Sequence, residues 1–428
     1  MNTKELLTYV TEGGLDDCLA MLYGRDRVIE QRARYRDAVA EFSSLFGDAR
    51  ETHLFSVPGR SEISGNHTDH NRGCVIAAAV DLDIIAVVSK RDDDTVTVKS
   101  KGFPADTVSC YPGEPDESLF YTSSSLLSGT CAGFLKRGYR VCGFDAYTTS
   151  SVLKGSGISS SAAFEVMIGT ILNHLVNDAV VTAPVIAEIA QFAENVYFGK
   201  PSGLMDQTAC AVGGFSFIDF GDPDAAKIEK LDFDLSEAGY SLCITNTGGN
   251  HADLNDDYAS VPAEMKAVAA AFGQPVLRGL TTAQLLARAG ELRETVGDRA
   301  LLRAFHFITE NERVGALAEA LRDGDIDIFF EGIKASGRSS FMWLQNVYTV
   351  KNVSEQGLSL ALAVTEYALK DAPRKAAWRI HGGGFAGTVQ AFVPNEAVEA
   401  YRKAIEAVFG DGSCAVLHVR RAGCTKVF

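Results

Sequence analysis

The sequence has no CxxC pair among its nine cysteines, no low-complexity tract, no internal repeat and no apolar run long enough to cross a bilayer. The longest apolar stretch, Cys74 to Ser89, is interrupted by Asp81 and Asp83, well short of the ~20 residues that a membrane helix needs. The segment from Met1 to Asp16 carries Lys4 and Glu5 without a long apolar block, so it does not read as a signal peptide. An odd, unpatterned cysteine set is expected to be reduced thiols in the core of a cytoplasmic protein. Positive charge is also scarce: 40 Lys and Arg stand against 55 Asp and Glu, a net charge of −15. A nucleic-acid partner would call for clustered Lys and Arg, and a membrane partner has no anchor here.

What is present is a chain of 428 residues, 46% hydrophobic and 22% charged, which is ordinary globular composition. That length predicts two domains with a ligand site between them, divided near Leu235 into residues 1–235 and 236–428. Helical periodicity runs from Glu5 to Phe46. A strand is expected at Thr52 to Val57 and a β-hairpin at Val75 to Val98, turning at Arg91 to Asp94. Helices are expected at Leu119 to Lys136, Ala162 to Val176 and Ala183 to Tyr197, with a fourth beginning near Gly203. After strands at Gly214 to Asp219 and Ser241 to Thr245 the chain turns helical through Lys370.

Four stretches carry chemistry. Gly155, Ser156, Gly157, Ile158, Ser159, Ser160 and Ser161 lie just before a helix start, where turned backbone N–H groups and the helix dipole welcome an anion. The Gly-Lys-Ser/Thr ending of a Walker loop is missing, and a dinucleotide fingerprint would need glycine where Ser160 stands; a plain Gly/Ser linker is the alternative. Pro58-Gly59-Arg60 is followed by Asn66, His67, Thr68, Asp69, His70 and Asn71, six hydrogen-bonding side chains in a row. Such a loop can hold a polyhydroxylated ligand or form an Asx-rich turn. His67 and His70 also invite a zinc reading, for which the sequence supplies too few further ligands. Glu194 and Asp206 are either helix-surface or capping carboxylates or acids placed for chemistry. The glycines of His381 to Gly387 allow close backbone approach to a ligand or another segment.

In this order the four stretches resemble the galactokinases of the GHMP kinase family, over nearly the whole chain. The family form PGRxNxxGEHTDYNxG stands here as PGRSEISGNHTDHNRG, GxGLSSSAxxE as GSGISSSAAFE, AExxxxGxxxGxMDQ as AENVYFGKPSGLMDQ, and a GGGFGG-type turn as GGGFAG. The resemblance implies a two-domain α/β (α+β) protein with mixed sheets packed against helices, the active site between the domains, and Mg-ATP-dependent phosphorylation of the anomeric hydroxyl of galactose. It implies that Gly155 to Ser161 cradle the ATP phosphates and that Ser161 and Glu194 hold Mg²⁺. Asp206 would face the sugar hydroxyl, with Arg60 stabilising phosphoryl charge. Asn66, His67, Thr68, Asp69, Gly203 and Tyr258 would position the sugar, and Ser100 would touch the nucleotide. A monomer or weak oligomer is expected. Departures fall on the sugar side: Asn66 stands for the family Glu, Glu62 and Ser64 for the usual Asn and Ile, His70 for Tyr, and Asn250 for a basic residue. The alternatives are therefore a kinase of a related sugar such as N-acetylgalactosamine, or a non-catalytic sugar sensor.

Overall fold

The computed structural model describes the chain except for residues 153–158, 223–224 and 250–253. Gly155, Ser156, Gly157 and Ile158 of the serine loop, and Asn250, thus lie outside the described residues.

Helical periodicity at the N-terminus resolves into three helices, Thr3–Thr11, Asp16–Tyr23 and Val28–Phe46. Glycine ends the second of them, Gly24 taking φ +91°, a conformation that costs a side-chain-bearing residue strain. The strands in chain order are β1 (His53–Ser64), β2 (Cys74–Lys90), β3 (Thr95–Ser100), β4 (Ala105–Ser109), β5 (Phe144–Ser150) and β6 (Phe215–Asp219). They continue with β7 (Lys227–Leu231), β8 (Tyr240–Asn246), β9 (Ala377–His381), β10 (Thr388–Pro394), β11 (Cys414–Leu417) and β12 (Thr425–Lys426). Among the described residues they form two mixed or antiparallel sheets. The first runs β12-β1-β2-β5-β3-β4, with β6 and β7 continuing from β2; the second runs β11-β8-β10-β9.

The expected hairpin at Val75 to Val98 does not form. Both strands exist, but β5 lies between them, antiparallel to β2 and parallel to β3. The turn between β2 and β3 packs around Gly143 instead: Arg91 N donates to the Gly143 carbonyl at 2.9 Å. A Cβ on Gly143 would lie 2.1 Å from the Asp93 carbonyl. Burial explains the choice, because β5 is buried at its first five positions whereas β3 alternates, and a strand buried on both faces belongs in the sheet interior.

Side-chain alternation along the first sheet feeds two cores. Leu54, Ile85, Val87 and Tyr147 meet the three N-terminal helices. Phe55, Val57, Ala86, Val88 and Ala146 meet the opposite layer, which includes Val166, Ile168 and Leu172 of helix Ser160–Val176. The same core continues through Phe329, Phe330 and Phe392 to the second sheet. Strand β1 extends seven residues beyond the expected Val57, through Pro58 and Gly59, with register shifts at Pro58/Arg60 and Glu62/Ser64. Bulges of this kind tolerate proline within a strand and re-aim the side chains that follow. Here the side chain re-aimed is Arg60.

Candidate active site

Arg60 on β1 meets Asp206 in the first turn of helix Met205–Val212. The contact is bidentate, Nε to Oδ1 at 2.7 Å and Nη2 to Oδ2 at 2.6 Å, the geometry in which a guanidinium holds a carboxylate most firmly. Ser159 donates its hydroxyl to Asp206 Oδ2 at 2.7 Å from a left-handed backbone, φ +56°. Such a conformation is costly for serine and is retained where surroundings enforce it. Burial pushes the Asp206 carboxyl up, but Arg60 and the Ser159 hydroxyl outweigh it and hold the group below the ordinary carboxylate range. Asp206 is ionised at neutral pH. His381, buried at the end of β9 and close enough to feel both partners, is driven down to about 3, by burial first and then by Arg60 and Arg379, so it stays a neutral imidazole.

A second cluster adjoins the first. Helix Ala183–Phe192 ends in a π-helical turn, Ala193–Tyr197, a local widening frequent at functional sites. That turn buries Glu194. Its Oε1 faces the Ser161 hydroxyl at 3.5 Å and the Lys200 ammonium at 2.8 Å, and its Oε2 accepts from Gln207 Nε2 at 2.7 Å. Gln207 Nε2 also reaches Glu165 Oε2 at 3.3 Å. Burial, then the nearby Glu194, pushes the Glu165 carboxyl well up.

The loop after β1 is bound to the glycine turn between β9 and β10. His67 Nε2 faces the Gly383 carbonyl at 2.9 Å and therefore carries its proton there. Burial brings that imidazole down to about 4. Among the described residues no group of three or more His, Cys, Asp or Glu side chains gathers here to hold a zinc ion. Tyr258 donates to the Gly384 carbonyl at 2.9 Å and packs edge-on against Phe385. The turn needs its glycines: a Cβ on Gly384 would lie 2.1 Å from the Asn346 carbonyl, and one on Gly383 2.7 Å from the Tyr258 ring.

Asn66 is fully buried. Its Nδ2 donates to Glu62 Oε1 at 3.0 Å and to the Gly382 carbonyl at 2.7 Å, while its Oδ1 accepts from Asn346 Nδ2 at 2.7 Å. The family pattern has Asn where this chain has Glu62 and Glu where it has Asn66. The two departures are one exchange of amide and carboxylate between residues in contact. Thr68 is buried as well, donating to the carbonyls of Gly65 and Cys74 at 2.8 and 2.7 Å, which shapes the loop. Asp69 and Gly203 face each other, since a Cβ on Gly203 would stand 2.9 Å from Asp69 Oδ2. Both line a cavity of about 580 Å³ with His70, Arg72, Ser202 and Leu204, within the range of small-molecule sites. Ser100 sits on β3, its hydroxyl accepting from Thr148 at 2.9 Å.

Sequence reasoning did not find Glu310. From helix Asp298–Asp323 its Oε1 accepts from Ser64 Oγ and Gly65 N, both at 3.0 Å, and from Ser336 Oγ at 2.5 Å, while Oε2 pairs with Arg313. Burial raises this carboxyl, but Arg313, His306, Arg379 and Ser336 bring it down to about 2. A depressed folded value means stability fully present above the ordinary value of 4.5 and lost as pH falls toward 2. Glu310→Gln is expected to cost about 2 kcal/mol at pH 7. In urea titrations that gap should narrow at pH 3.5, and a gap independent of pH would remove the charge from the explanation.

This fold, with the start of helix Ser160–Val176 set beside a carboxylate clamped by arginine, is that of a GHMP kinase. Residues 125–214 match the family model of the GHMP kinases N terminal domain, and residues 40–90 match the galactokinase galactose-binding signature. The chain is 32% identical to the galactokinase of Streptomyces coelicolor over 86% of its own length and 91% of that protein's. It is 31% identical to that of Glaesserella parasuis, over 85% and 91%. A crystal structure of Lactococcus lactis galactokinase complexed with galactose superposes with a TM-score of 0.73 at 24% identity, covering 90% of this chain and 98% of that one. The mevalonate kinase of Methanococcus jannaschii shares the fold at a TM-score of 0.59 and 13% identity, over 86% and 98%. The chain belongs to the galactokinase family and is a sugar kinase. Among the described residues no helix is long and apolar enough to cross a membrane.

Proposed function

We propose that the protein phosphorylates the anomeric hydroxyl of galactose with Mg-ATP as donor. The observation that carries this reading is the clamp of Arg60 and Ser159 on Asp206. A carboxylate fixed on both oxygens and kept ionised is a weak proton acceptor at neutral pH, yet it is a strong hydrogen-bond acceptor. Asp206 would orient the sugar hydroxyl along the line of attack and accept its proton late, when the oxygen has bonded to phosphorus and become acidic. Arg60, already placed, would offer its charge to the transferring phosphoryl group without reorganising. Phosphoryl transfer asks mostly for such positioning and neutralisation.

Ser161 and Glu194 suit magnesium, since a hydroxyl and a carboxylate oxygen face each other and this ion takes hard oxygen ligands alongside waters and phosphates. When bound, the metal would neutralise phosphate charge. The serine loop from Gly155 to Ser161 would cradle the phosphates, with Ser100 at the nucleotide. On the sugar side, Asp69 beside Gly203 offers a charged acceptor to ring hydroxyls, while His67 and Tyr258 would position the sugar through the glycine turn between β9 and β10 that they hold. Asn66 and Thr68 would act by shaping the loop. The division near Leu235, a cytoplasmic location and a monomeric or weakly associating state belong to the same reading.

The test is a panel of sugars with Mg-ATP, galactose and N-acetylgalactosamine included, scoring ADP release and the carbon phosphorylated. Galactose 1-phosphate as the preferred product is the expected result. Galactose turned over no faster than unrelated hexoses would refute it.

A further inference from the structure

Lys200 lies in the turn that joins Glu194 to Gly203, and this turn is built to hold it. Its main-chain N–H donates to the carbonyl of Glu194 at 3.1 Å, while its side-chain ammonium lies 2.8 Å from Oε1 of the same residue. The following residues are pinned as well, Ser202 N donating to Asn195 Oδ1 at 2.6 Å and Gln191 Nε2 to the Ser202 carbonyl at 3.0 Å. Gly199, at φ +78°, turns the chain in contact with the Phe120 ring. The lysine is half exposed, but Glu194 is buried. Among the described residues the ammonium is the cation paired with the carboxylate oxygen that also faces Ser161.

We infer that Lys200 and magnesium compete for Glu194, the lysine serving as a built-in counter-cation that the metal must displace when Mg-nucleotide binds. This rests on the reading of Glu194 as a magnesium ligand. A buried carboxylate without a counter-charge is expensive, so an ammonium there stabilises the protein before nucleotide arrives. Held on one oxygen, the two cations would repel each other strongly at a few Å in a part-buried site. The metal therefore binds only the fraction of molecules in which the pair is open, and its apparent affinity falls by that fraction. A pair closed about four-fifths of the time lowers it about fivefold.

The experiment measures ADP binding calorimetrically in excess magnesium and in excess chelator, taking the ratio of the two affinities as the magnesium dependence. Lys200→Met is expected to raise that ratio about fivefold. Lys200→Arg, which keeps the charge, stays near the parent. Melting temperatures give a second reading: Lys200→Met melts below the parent in chelator and level with it in saturating Mg-ADP, whereas a purely structural ion pair would lower both. Lys200→Gln serves if the methionine variant does not fold. An unchanged or smaller ratio in Lys200→Met overturns the inference while a collapsed ratio in Glu194→Gln leaves the metal site standing. A ratio unaffected by Glu194→Gln overturns the metal site and the inference with it.

Discussion

Asp206→Asn is expected to yield a folded protein that releases ADP at no more than about one-thousandth of the parent rate, as when an interaction made chiefly in the transition state is lost. The change keeps the shape of the side chain but removes the charge that both Arg60 contacts and the Ser159 contact answer to. Three functions fail together: the sugar hydroxyl loses its orienting acceptor, its proton loses a destination, and Arg60 loses the partner that fixes its guanidinium. The loss should fall on kcat, with ADP affinity within a few-fold of the parent, because Glu194 and Ser161 are untouched. Stopped ADP-release assays and nucleotide calorimetry on the same preparation make the comparison. Since Asp206 is held below the ordinary carboxylate range, the parent's rate should not decline on the acid side of neutrality through this group until pH falls below about 4. Normal turnover in the variant would remove Asp206 from the mechanism.

How far such a site can be read from sequence depends on what kind of contact made it. Arg60, Ser159, Glu194 and Asp206 sit in short motifs whose residue types are unusual for turns, and those motifs led to them. The helix expected from Ala162, which starts two residues earlier at Ser160, and the glycine turn before β10 were equally legible, because backbone demands on glycine and serine are local. Long-range pairing was not. Nothing in the alternation of β2 and β3 says that β5 inserts between them; that follows from which strand is apolar enough to be covered on both faces. Glu310 and Arg313 stand three residues apart on a helix, a spacing that marks no site, and only the tertiary fold brings Ser64 and Gly65 down onto the carboxylate. Asn346 was invisible for the same reason. Its role is to accompany Asn66, 280 residues away. The departure at Asn66 was legible as a change of one sugar ligand; in the structure it is half of an exchange with Glu62.

That exchange makes a prediction with a large effect on stability. Asn66→Glu, which restores the family residue at one position alone, is expected to destabilise the protein by about 4 kcal/mol. It sets a second carboxylate against Glu62 in a pocket closed to water, and turns a donor to the Gly382 carbonyl into an acceptor facing it. Burial already drives the Glu62 carboxyl up against the opposing pull of Arg379, so the site has little capacity for another negative charge. Glu62→Asn in the same chain should return most of the loss, because the amide again meets a carboxylate and Arg379 again has an anion nearby. Urea titrations of the parent, both single variants and the double variant close the cycle. A coupling of about 2 kcal/mol or more is expected for residues that share a hydrogen bond, whereas additive costs would show that 62 and 66 do not act as a unit. Function should follow the same pattern. The loop that Asn66 bolts to Gly382 also carries His67 and Asp69, so kcat/KM for galactose should fall in Asn66→Glu through a raised KM and recover in the double variant, with Mg-ADP affinity unchanged in all four proteins.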